Sequence, residues 1–105
     1  MSMKTITELI KDGKAVMLYI TNPWCVSCKS LRPKVEEMVS DRFPLMEYRY
    51  IDASENPELT AELNVYSAPT ILVMFEGKEY IREGKFVSIN ELADKIDRIY
   101  KMIFE

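Results

Sequence analysis

The two cysteines of this chain, Cys25 and Cys28, stand two residues apart in the run Pro23-Trp24-Cys25-Val26-Ser27-Cys28-Lys29. Two thiols at that spacing can close into a small disulfide ring and open again, so the chemistry they suggest is reversible thiol–disulfide exchange. A metal site is the first rival. Zinc takes four protein ligands, or three and a water. With 2 cysteines and no histidine, the chain would need carboxylates, or a dimer sharing cysteines, to complete such a shell. An iron–sulfur cluster bridged between chains meets the same limit.

A dithiol that opens and closes needs a rigid mount, and the flanking sequence reads as one. The apolar run Ala15 to Ile20 before the pair has the pattern of a strand buried on both faces. After it, from about Cys25 to Ser40, Leu31, Val35, Met38 and Val39 recur at helical intervals, with Pro33 inside as an expected kink. An amphipathic helix opens the chain, with Thr5-x-x-Glu8 as a capping box and Gly13 at its end. A second strand is expected from Met46 to Ile51, with Met46, Tyr48 and Tyr50 on one face. Asn56-Pro57 reads as a cap and first residue of a helix that Asn64 can close. Thr70 to Phe75 and Glu79 to Arg82 are strands turned by Glu76-Gly77-Lys78, and Gly84 ends the second. Ser88-x-x-Glu91 caps a last helix with Ile89, Leu92, Ala93, Ile96, Ile99, Tyr100 and Ile103 on one side. The order is αβαβαββα. The first two strands are expected parallel with a right-handed crossover, and the last two form a hairpin. The fold class is α/β, with helices on both faces of a small central sheet.

The 105 residues fit one domain, 1–105. A net charge of −3, with no basic cluster interleaved with aromatics, argues against nucleic acid. No apolar run reaches the roughly 20 residues of a membrane helix. The N-terminal stretch is charged and amphipathic, unlike a secretion signal, so the expected place is the cytoplasm, where a cysteine pair is more often catalytic than structural. The 7 methionines sit among apolar positions and read as core filler.

From about residue 14 onward, order and motifs together resemble the thioredoxin family. The resemblance rests on Trp24-Cys25-x-x-Cys28-Lys29, Pro33, Ile51-Asp52 followed by Asn56-Pro57, Ala68-Pro69-Thr70 and Gly84. It implies the thioredoxin fold, with a mixed sheet of four strands, five at most, and a protein-disulfide reductase activity without a cofactor. It also implies that Pro69 follows a cis bond and turns the Ala68 backbone toward the cysteines. There Ala68 would pair main chain to main chain with an extended substrate. Trp24, Val26, Tyr66 and Pro69 would form an apolar rim around Cys25, with Gly84 beside it. Partners implied are protein disulfides and an electron-donor reductase; the chain is expected to be a monomer.

Three departures from the family pattern stand out. Val26-Ser27 replaces the usual Gly-Pro between the cysteines. Tyr19 stands where thioredoxins carry a buried aspartate, and Tyr48 where the accompanying lysine falls. The family's first edge strand is expected to be absent, since about a dozen residues precede the central strand.

At a helix N-terminus, unpaired N–H groups and the helix dipole favour a thiolate, which assigns Cys25 as nucleophile and Cys28 as the resolving thiol. A tyrosine, with a pKa of about 10, is a poor base for Cys28; the plainer reading of Tyr19 and Tyr48 is core packing. Beside the enzyme reading stand a thioredoxin-fold binding module that makes little use of its dithiol, a redox sensor, and the dimeric metal site.

Overall fold

The computed structural model describes residues 6–24 and 28–105. Thr5, and with it the expected first capping box, lies outside them. The elements are α1 Ile6–Asp12, β1 Ala15–Thr21, α2 Cys28–Arg42, β2 Glu47–Asp52, α3 Pro57–Glu62, β3 Thr70–Phe75, β4 Lys78–Glu83 and α4 Ile89–Phe104.

Strand β1 is buried at every position, because it is flanked on both edges and covered on both faces. It pairs in parallel with β2, with Tyr19 opposite Tyr50, and antiparallel with β3, with Leu18 opposite Leu72. The sheet order is β2-β1-β3-β4. Among the described residues the sheet therefore has four strands, mixed as expected.

Alternation along β1 divides the core. Ala15, Met17 and Tyr19 join Val35, Met38 and Val39 of α2 and Leu92, Ala93 and Ile96 of α4 on one face. Val16, Leu18 and Ile20 join Leu9 of α1 and Val65 on the other, with Leu59 and Leu63 of the α3 region packed alongside. Buried Leu92 and Ile96 each contribute on the order of 1.5–3 kcal/mol. They hold the long helix to the sheet.

The joints follow from local chemistry. The Gly13 N–H donates to the Leu9 carbonyl at 2.7 Å. A Cβ at Gly13 would lie 2.7 Å from both that oxygen and Val16 Cγ2, so no side chain fits between α1 and β1. Glu76 and Gly77 take φ of 51° and 84°, the left-handed pair that a tight hairpin turn demands. Ser88 caps α4 by accepting from the Glu91 N–H at 3.3 Å. Asn56 departs from expectation. It occupies the cap position of α3, but its side chain caps nothing; its amide donates instead to the Asp52 carbonyl at 2.9 Å. It thereby ties α3 to the end of β2. Met102, one of the methionines expected as core filler, is exposed on α4.

Candidate active site

Strand directions decide where the candidate residues gather. β1 and β2 run in parallel and β3 runs against them, while β4 runs with β1 again. The C-terminal ends of β1, β2 and β4 therefore meet the N-terminal end of β3. The loops at this end carry Asn22 to Trp24, Tyr66 to Pro69, and Gly84 to Phe86. Helix α2 also starts here, at Cys28.

Trp24 is 79% exposed and Tyr66 is 83% exposed. The Trp24 N–H donates to the Asn22 side-chain oxygen at 2.9 Å, which turns the chain after β1. Pro69 follows a cis peptide bond from Ala68; Pro69 is buried and Ala68 half-buried. The Thr70 hydroxyl donates to the Ser67 carbonyl at 2.7 Å, closing this turn. Cys25 and Val26 lie outside the described residues, as does the Cys28 thiol.

Gly84 is a partial correction. It does lie beside Pro69, since a Cβ there would sit 3.9 Å from the Pro69 carbonyl oxygen. That is ordinary contact distance and its φ is not left-handed, so the backbone need expected of Gly84 beside the site, read from the sequence alone, is absent.

Two residues that the sequence reading passed over shape this end. Arg82 of β4 donates to the Leu63 and Asn64 carbonyls at 2.7 and 3.0 Å, and to both oxygens of Glu79. It thus anchors the end of α3 and the loop leading to Tyr66, while holding the Glu79 carboxyl below its usual range. Phe86, 90% exposed on the loop after Gly84, adds an apolar side chain at the same end.

Beneath the loops lies an aromatic and charged stack. Tyr19 is fully buried, and its ring stacks on Tyr50 with centroids 6.2 Å apart and planes 14° from parallel. The Arg32 guanidinium lies 3.6 Å from the Tyr50 ring centroid and pairs with Glu36 at 3.0 Å. Arg32 carries a sequence signal in hindsight: it stands four residues after Cys28 and four before Glu36, on one helix face.

Burial raises the pKa of Tyr19, with the neighbouring Tyr50 adding to it. Burial also raises that of Tyr48, helped by the nearby Glu36 carboxylate. The Tyr48 hydroxyl nevertheless makes no hydrogen bond of proper geometry, while the carboxylate beside it is taken up by Arg32. Both phenols are neutral at pH 7 and cannot serve as bases there.

A prediction follows for alkaline stability. An acid whose pKa is raised by folding stays protonated in the native state while the unfolded chain ionises near pH 10. The native state then binds more protons, and stability falls as pH climbs past about 10. Tyr48→Phe should remove part of that fall, measured by urea denaturation at pH 8 and 10.5. At pH 8 it should leave stability within about 1 kcal/mol of the parent, because no well-formed hydrogen bond is lost.

Among the described residues no three or more Cys, Asp or Glu side chains gather to hold a metal ion, and no helix is long and apolar enough to cross a membrane.

The family model described as "Thioredoxin" matches residues 2–98. The thioredoxin-like protein YdfQ of Bacillus subtilis is 31% identical over 101 residues, covering 96% of this chain and 89% of that protein. The bifunctional thioredoxin reductase/thioredoxin of Mycobacterium leprae is 26% identical over 97 residues, covering 88% of this chain but 21% of the longer protein. Among solved structures, thioredoxin 1 of Thermosipho africanus superposes with a TM-score of 0.74 at 28% identity, covering 83% of this chain and 96% of that one.

Proposed function

Since the chain belongs to the thioredoxin family and is a thiol–disulfide oxidoreductase in the broad sense, we propose that it reduces disulfides in other proteins through the Cys25–Cys28 pair, as one domain spanning 1–105. The observation that carries this reading is the convergence of Trp24, the start of α2 at Cys28 and the Ala68-Pro69 turn at one end of the sheet.

In the proposed cycle the Cys25 thiolate attacks one sulfur of a substrate disulfide. The substrate S–S bond breaks, a mixed disulfide forms, and the leaving thiolate takes a proton. Cys28 then loses its proton and attacks the Cys25 sulfur, which releases the second substrate thiolate. Two electrons have passed to the substrate, and the pair is left as a disulfide. The first turn of α2 contains no acidic residue and carries Lys29, so nothing there opposes a thiolate at its N-terminus.

The acceptor for the Cys28 proton is water or a carboxylate other than Glu36. Tyr19 and Tyr48 are neutral, and Glu36 lies eight residues along α2, about 12 Å of helix axis from Cys28. Trp24, Val26, Tyr66 and Pro69 make the apolar rim, with Ala68 offering its backbone and Gly84 keeping access low. Electrons are restored by a reductase of the thioredoxin reductase class, the activity fused to the Mycobacterium leprae relative. Monomeric action in the cytoplasm completes the reading.

The test is the reduction potential of the pair, read from Trp24 fluorescence in graded redox buffers. A value near about −270 mV, that of thioredoxin, supports a reductant, and one above about −200 mV supports an oxidant or isomerase. Absence of an intramolecular disulfide at every potential would move the assignment to a binding module.

A further inference from the structure

We propose that Arg32, clamped between Tyr50 and Glu36, is a positioning residue that stabilises the thiolate of the cysteine pair. The inference rests on the proposed function for the identity of the reacting thiols, and on geometry for the rest. Along α2 the order from the N-terminus is Cys28, Arg32, Glu36 at intervals of four, and Arg32 and Glu36 share one face. Arg32 stands one turn from Cys28, and Glu36 stands two. Their ion pair, closed at 3.0 Å, is therefore a dipole with its positive end toward the N-terminus of α2, parallel to the dipole of the helix itself. The Arg32 side chain is 42% exposed but is held on two sides. Its guanidinium lies 3.6 Å from the Tyr50 ring centroid, and that ring is backed by fully buried Tyr19. The stack fixes the cation in place.

The other ionisable groups at this end do not cancel it. Tyr19 on β1 and Tyr48 on β2 are neutral phenols at pH 7, and Tyr50 is the ring beneath the guanidinium. The Asp52 carboxylate of β2 accepts from the Ser54 N–H and hydroxyl at 2.8 and 2.6 Å. Glu83 of β4 pairs with Lys95 of α4 at 2.8 Å. Lys29 on α2 and Lys85 after β4 are exposed and add positive charge of the same sense.

The test is the pH profile of iodoacetamide alkylation of Cys25 in the reduced protein, followed by mass spectrometry. Arg32→Gln should lower the thiolate fraction at pH 7 about threefold, and Glu36→Gln should raise it by a comparable factor, both effects shrinking at 1 M salt. Arg32→Lys should keep most of the parent's thiolate. Opposite signs for the two partners separate an electrostatic role from a structural one, since simple loosening of α2 would shift both variants alike. Shifts of the same sign, or none, overturn the proposal. Should Arg32→Gln not fold, Glu36→Gln decides alone: an unchanged or decreased thiolate fraction overturns it. Disulfide reduction by the parent is measured alongside. Normal reduction with unmoved profiles defeats this inference only, whereas opposite shifts in a parent that reduces nothing defeat the proposed function only.

Discussion

Cys25→Ser is expected to bring disulfide reduction down to the uncatalysed background, a loss of at least about a thousandfold, because the proposed attacking atom is removed. Cys28→Ser should fail differently. Its Cys25 still attacks, but no resolving thiol follows, so mixed disulfides with substrate proteins accumulate and survive on a non-reducing gel. The two variants therefore have opposite signatures: one loses activity and traps nothing, the other loses turnover and traps substrate. The asymmetry comes from position. Cys28 is the first residue of α2, and Cys25 precedes it by three positions in sequence, next to the exposed Trp24. Activity surviving in Cys25→Ser, or trapping by Cys25→Ser in place of Cys28→Ser, would overturn the assignment of roles. A serine at either position is close in volume to cysteine, so a collapse of the fold would not be the expected explanation for either result.

The parts of this design that are legible in the sequence are those with a local cause. Thr70 to Phe75 is read to the residue, because an unbroken apolar run lies between Pro69 and the Glu76-Gly77 turn. Ser88 is read correctly as a cap because its hydroxyl reaches only three residues ahead. Asn56 shows the limit of such rules. Its position is right, but its amide found the Asp52 carbonyl, and only the path of β2 into the next loop makes that partner available. Arg32 and Tyr50 are 18 positions apart in sequence and meet because α2 lies over the β2 edge of the sheet. Periodicity predicts the faces of each element but not which side chains on facing surfaces touch. The same reasoning separates the candidate site: motif residues were found, whereas Arg82 and Phe86, which act through the loops they hold or occupy, carry no motif.

Tyr19→Ala should cost about 3–5 kcal/mol of stability, measured by urea denaturation with unchanged slope, because it empties a fully buried ring site in the central strand. The ring is flanked by elements that cannot easily collapse inward. On β1 its neighbours in register are Tyr50 of β2 and Ile71 of β3, and both strands are held by ladders on either side of it. Tyr19→Phe keeps the ring and should retain most of that energy. The comparison bears on function as well as folding. The Tyr19 ring supports Tyr50, on which Arg32 rests. If Tyr19 serves packing, Tyr19→Ala should lose stability first and alter the alkylation profile of Cys25 in the same direction as Arg32→Gln, because the Tyr50 ring under the guanidinium loses its backing. Tyr19→Phe should do neither. A cost below about 1 kcal/mol for the alanine variant would mean that the β1 site relaxes and that the stack is not what holds the cation.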